Sequence, residues 1–195
     1  METPFDPQVI AQRRNNTATI GMLLFLASWA MMFAACFYSY INLRIAGGGW
    51  PPDGMPDLPV KLPAVNTLLL GLSSLTLHWA IEAAKKDQTK KLVRLLVGTL
   101  FLGALFFILQ VVLWRSMMGQ NLTHQTGSYG SSFYFVTGFH ALHVIVGLGM
   151  LLFQTIKSAR GRISAESHHG LKLVAMFWHF VDIAWVGTFI MVFLA

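Results

Sequence analysis

The chain has 195 residues, of which 55% are hydrophobic and 11% charged, and its mean hydropathy is +0.58, whereas a soluble domain carries about 25% charged residues. That balance excludes an ordinary water-soluble fold and indicates a polytopic membrane protein. The net charge of +6 does not indicate a nucleic-acid partner, because the basic residues gather in short segments between apolar runs, where membrane topology accounts for them.

Cys36 is the single cysteine and falls inside an apolar run, so neither a disulfide framework nor a thiolate metal site is available. The first sixteen residues, METPFDPQVIAQRRNN, lack an apolar stretch and cleavage site of the kind a signal peptide needs, so the amino terminus is expected to be retained. Crossing about 30 Å of hydrocarbon takes about 20 helical residues. Five segments qualify, at 17–43, 64–84, 92–114, 131–156 and 171–194. The expected fold is therefore all-α, a five-helix membrane bundle with its termini on opposite sides. Eleven basic residues would lie on one side: Arg13, Arg14, Lys85, Lys86, Lys90, Lys91, Arg94, Lys157, Arg160, Arg162 and Lys172. Three, Arg44, Lys61 and Arg115, would lie on the other. The amino terminus is thus expected on the cytoplasmic (or matrix) side and the carboxyl terminus outside.

Within the first segment, Ala30 and Ala34 have a spacing that permits close helix approach. The connection RIAGGGWPPDGMPDLPVKLP holds five of the seven prolines and reads as an irregular external loop, with Trp50 at the interface and Pro63 in the first turn of the second helix. The second helix ends in LTLHWAIEAAKK, where His78 and Glu82 are four apart and share a face. They read either as a snorkelling interfacial ion pair or as a carboxylate that conducts protons or contacts a subunit. Gln110 in the third helix is expected to hydrogen-bond to a neighbouring helix. Asn121 opens a glycosylation sequon close to the membrane.

The fourth helix contains YGSSFYFVTGFHALHVIVG at 129–147. Thr137, His140, Val144 and Gly147 fall on one face, with His143 near the same line. Ionisable groups at bilayer depth face protein rather than lipid, since a charged one costs on the order of 2.5 to 3.5 kcal/mol on insertion scales. The fifth helix sets His179 and Asp182 one turn apart, and a buried Asp182 needs a partner in His179, His140 or His143. The short 157–170 connection makes helices four and five antiparallel neighbours. His78, His140, His143 and His179 invite a haem or metal reading, but His140 and His143 are too close along one helix to serve haems stacked across a bilayer. Neither the single cysteine nor a dense carboxylate set supports a mononuclear site. The plainer reading is histidines bonded to backbone carbonyls and to Asp182. His168 and His169, beside Arg160 and Arg162, read as a lipid-headgroup or partner contact, or as a solvated loop.

LHWAIE at 77–82, the 129–147 stretch, the pair His168 and His169, and WHFVDIAW at 178–185 resemble subunit III of the haem-copper respiratory oxidases, as in cytochrome c oxidase. NNTATIGMLLFLASW and WPPDGMPDLPVKLPAVNT add weaker matches, so the resemblance covers nearly the whole chain as one membrane domain, residues 1–195, in the short five-helix form. It implies an accessory subunit with no catalytic residue, haem or copper of its own. The haem and copper belong to partner subunits, with docking on the catalytic subunit I and on subunit II. It also implies a cleft for structural phospholipid and support of proton uptake and complex lifetime. Glu82, His140, His143, His168, His169, His179 and Asp182 match family positions, and Lys157 and Arg160 stand where the family has basic residues suited to lipid phosphate. Two departures stand out: Trp29 follows Ser28, and Leu113 follows Gln110 by three, where the family carries buried glutamates. The expected location is a bacterial cytoplasmic membrane, with the mitochondrial inner membrane as the alternative. Rival readings are a third subunit of a quinol oxidase or nitric oxide reductase, a membrane-anchored cytochrome, and a small proton-coupled transporter or channel. The last predicts broken helices or an inverted repeat, and the sequence displays neither.

Overall fold

The computed structural model describes residues 7–47, 49–165 and 167–194, so the first six residues of the amino tail lie outside it. Five helices follow in order: α1 (Pro7–Ala46), α2 (Lys61–Lys85), α3 (Thr89–Gly119), α4 (Gly127–Ala159) and α5 (His169–Phe189), the last running on into a π-helical turn at Ile190–Leu194. All five are long and apolar enough to cross a membrane. No strand occurs among the described residues, and the expected all-α five-span architecture holds.

Each helix outruns its apolar core, because hydropathy marks the lipid-facing length while hydrogen bonding continues until something stops it. α1 begins at Pro7, where a missing N–H is harmless, and meets no glycine pair or proline before Gly47. It therefore starts ten residues ahead of the expected 17–43 span, and its 40 residues extend about 60 Å at 1.5 Å per residue, well beyond the hydrocarbon. The ends of α2, α3 and α4 close alike. Asp87 (φ 50°), Asn121 (φ 64°) and Gly161 (φ 67°) take the left-handed conformation, and the next N–H bonds back to the helix: Gln88 to Ala83 O, Leu122 to Met117 O, Arg162 to Lys157 O. This is the C-terminal motif that satisfies the last carbonyls. Asn121, the sequon residue, thus terminates α3.

Helices α2, α3, α4 and α5 pack in sequence, and α5 returns to α2 to close a ring, with α1 against the outside of α5 and α4. At one end the Ala165 N–H donates to Asp87 Oδ1 at 2.7 Å, and His169 Nε2 lies 3.4 Å from Thr19 Oγ1. The start of α1, the turn between α2 and α3 and the connection between α4 and α5 therefore share that end. At the other end residues 49–60 fold over the ring: Tyr129 OH donates to Pro56 O at 3.0 Å and Trp50 Nε1 donates to Tyr40 OH at 3.1 Å. Trp50 is set edge-on to both tyrosines, so this side chain, expected at the lipid interface, is a structural latch.

Within a bilayer, lipid is as apolar as leucine, so helix association rests on close packing and hydrogen bonds. α1 presents one narrow aromatic seam. Trp29 packs on Phe139 and His143 at 5.7 and 4.3 Å between centroids, Phe33 on Phe139, His143 and Phe180, and Tyr40 OH reaches Val192 O at 3.5 Å. Ala30 and Ala34, the expected close-approach pair, are exposed. Bulky rings, not small residues, join α1 to the ring.

Candidate functional site

The buried polar groups of the ring divide into those that tie helices together and those left over. Indoles supply the first ties. Trp178 Nε1 donates to Ser73 Oγ at 3.0 Å, Trp185 Nε1 to Thr67 Oγ1 at 3.0 Å, and Trp114 Nε1 to Thr137 Oγ1 at 3.1 Å. Two of these clamp α5 onto α2 and the third clamps α3 onto α4. The Trp178 ring fits because two glycines flank it: a Cβ at Gly103 or at Gly147 would lie 2.8 Å from its carbons. Gly147 thus occupies the inward face of α4 predicted with Thr137, His140 and Val144, all buried.

Asp182 finds its partner on α2. Ser74 Oγ–H donates to Asp182 Oδ2, and Ser74 Oγ lies 2.9 Å from His179 Nδ1. The Ser74 hydroxyl thus joins the carboxylate and the imidazole of α5 to α2. His179 and Asp182 are brought together as the one-turn spacing predicts, through a serine that sequence reasoning passed over. Neither His140 nor His143 serves Asp182. His140 is enclosed by Trp185 at 5.0 Å and Phe106 at 5.8 Å between centroids. His143 turns toward α1, under the edge of Trp29, with Nδ1 held 2.7 Å from Phe139 O. The two imidazoles, three residues apart, share Phe33 and otherwise face different rings.

Other expectations change partner. Glu82 pairs with Lys85 at 2.5 Å, both half-exposed, while His78 is exposed on α2. Gln110, expected to bond to a neighbouring helix, is fully buried with neither amide atom bonded among the described residues. His168 and His169 meet Gln12, Asn15, Asn16, Thr19 and Lys172 around a polar cavity of about 330 Å³. Lys157 and Arg160 are at the end of α4 and outside that cavity's walls. Among the described residues no group of three or more His, Cys, Asp or Glu side chains is placed to hold a metal ion.

The residues missed by sequence reasoning are the hydroxyls of α2, Thr67, Ser73 and Ser74. A signal for them was present: they recur about two turns apart, as Trp178 and Trp185 do on α5, and a buried indole N–H requires an acceptor. This arrangement supplies helix-to-helix hydrogen bonds at membrane depth.

The chain matches the family model described as cytochrome c oxidase subunit III over residues 11–195. It is 32% identical over 179 residues to cytochrome c oxidase subunit 3 of Pan troglodytes, covering 89% of this chain and 67% of that one. The human protein of that name gives the same figures. That of Tetraodon nigroviridis is 34% identical over the same extents.

Proposed function

We propose that this chain, which belongs to the cytochrome c oxidase subunit III family, is a non-catalytic accessory subunit of a proton-pumping oxidase that reduces O2 to water. In this reading it docks on the haem- and copper-bearing subunits I and II, holds phospholipid, and supports proton uptake and the lifetime of the complex. The observation that carries the reading is how the buried polar residues are used. Trp178, Trp185, Trp114 and Ser74 donate to side chains of neighbouring helices, and Ser74 meets both His179 and one oxygen of Asp182. Such bonding builds a scaffold.

Several further features support parts of the proposal. The polar cavity at His168, His169 and Lys172 lies at the end of the molecule rich in lysine and arginine, which suits an anionic headgroup. Lys157 and Arg160 at the same end are proposed as contacts to lipid or to another subunit. The relatives named for cytochrome c favour it over quinol as electron donor to the complex. With the basic end on the cytoplasmic or matrix side, the amino terminus lies there and the 49–60 loop outside. The membrane is proposed to be a respiratory one; the named relatives are vertebrate and lend the bacterial placement no support.

The test is purification in mild detergent of the oxidase from the cells that make this chain. Stoichiometric co-migration with the haem-bearing subunits is expected, together with an oxidase that loses activity faster during turnover when the chain is deleted. Absence of the chain from the intact oxidase, or a haem absorption band carried by the separated chain, overturns the proposal.

A further inference from the structure

Asn66, Gln110 and His140 are each 0% exposed. Both amide atoms of Asn66 and of Gln110, and both ring nitrogens of His140, lack a hydrogen-bond partner among the described residues. Three independent contacts put these residues at one level of the ring. Trp185 is the first: its indole N–H bonds to Thr67, next to Asn66 on α2, while its ring packs on His140 and on Phe106, one turn before Gln110. The second is the Trp114–Thr137 bond. In the antiparallel pair α3 and α4, one turn back from Trp114 is Gln110, and one turn on from Thr137 is His140. The third is the Thr76–Thr99 bond at 2.9 Å, from which about three turns back along α2 and about three turns on along α3 reach Asn66 and Gln110.

We propose that Asn66, Gln110 and His140 form an internal water-binding site, with one side chain from each of α2, α3 and α4 and Trp185 of α5 as its wall. Burying a polar atom without a partner is unfavourable, and here the surroundings are aromatic rings and, beyond the bundle, lipid. A buried water typically makes about 3 hydrogen bonds and needs 2–4 polar partners, which three side chains on three helices supply. The chemistry of the set selects water over a cation. Two amides and a neutral imidazole offer donors and acceptors together, as water requires, but no carboxylate among the three offsets a positive charge in a low-dielectric core. The 49–60 loop, latched by Tyr129 and Trp50, closes the ring end nearest Asn66. Such a water exchanges slowly and is visible as an ordered one.

The decisive experiment is a map of the chain in its native membrane assembly at a resolution that shows ordered water. Density is expected at about 2.7–3.2 Å from an amide atom of Asn66 or Gln110 and from a His140 nitrogen. A map in which these side chains bond one another directly, or stand with no density between them, overturns the proposal. Gln110→Met, close in volume, is expected to weaken that density while the assembly persists; unchanged density in the variant overturns the three-residue site. Should the variant not assemble, X-ray radiolytic hydroxyl labelling of the wild-type assembly replaces it. Labelling is expected at Trp185, beside the site, several-fold above that at Trp178, which sits two turns along α5 between Gly103 and Gly147. Equal background labelling of both overturns the inference.

Discussion

Adding one methyl group at Gly147 tests how closely the helices of the ring approach. A Cβ there would stand 2.8 and 2.9 Å from Trp178 Cε3 and Cζ3 and 3.3 Å from Phe177 Cε1, against an ordinary carbon–carbon separation of about 3.5–4.0 Å. The indole would have to retreat by about 0.6–1 Å, but Gly103 of α3 lies against its far edge and its bond to Ser73 would stretch. Overpacking of this kind costs about 1–3 kcal/mol, while replacing a mid-helix glycine with alanine returns about 0.5–1 kcal/mol, so Gly147→Ala should destabilise by about 1–2 kcal/mol. Gly138 and Gly149 lie on the same helix with nothing within 4 Å of an added Cβ, and their alanine variants should be neutral or slightly stabilised. Gly103→Ala presses the same indole from the other side, so the double variant should lose more than the two single losses together. The assay is retention of the chain in the purified complex after stepwise heating, compared across the four single variants. Equal retention of Gly147→Ala and Gly149→Ala would refute the argument that the glycines exist to admit Trp178.

Ser74→Ala removes the hydroxyl shared by His179 and Asp182 and should cost about 1–3 kcal/mol. Asp182→Ala should act similarly, with the double variant losing less than the sum because the residues form one network; additive losses in the same heating assay would count against a shared bond. Phe33→Ala, which deletes a ring in contact with Phe139, His143 and Phe180, should free α1 before the rest of the chain loosens. Limited proteolysis would read this as cleavage near the amino terminus at temperatures where α2 to α5 stay intact. At Gly161, φ is +67°, so Gly161→Ala should cost about 1–2 kcal/mol and Gly161→Asn distinctly less. Equal thermal midpoints for the two variants would show that the helix end does not depend on the left-handed turn.

Local chemistry decided what could be read in advance. Five apolar runs of sufficient length leave a chain in lipid no alternative to helices, because every backbone N–H and C=O must be satisfied within its own segment. The inward face at Thr137, His140, Val144 and Gly147 followed from helical period alone, and so did the proximity of His179 to Asp182. What depended on contact between distant segments was hidden. His140 and His143 share a helix and a residue type, but the rotation of α4 against α1 and α5 sends one to Trp185 and the other to Trp29. Asp182 meets a serine more than a hundred positions away, and nothing in residues 178–185 specifies which side of α2 will be turned toward it. Periodicity gives each helix its buried stripe; the register in which the stripes meet is settled only when Trp178 seats between Gly103 and Gly147 and the indole N–H groups find their hydroxyls, because packing of that density admits few alternatives.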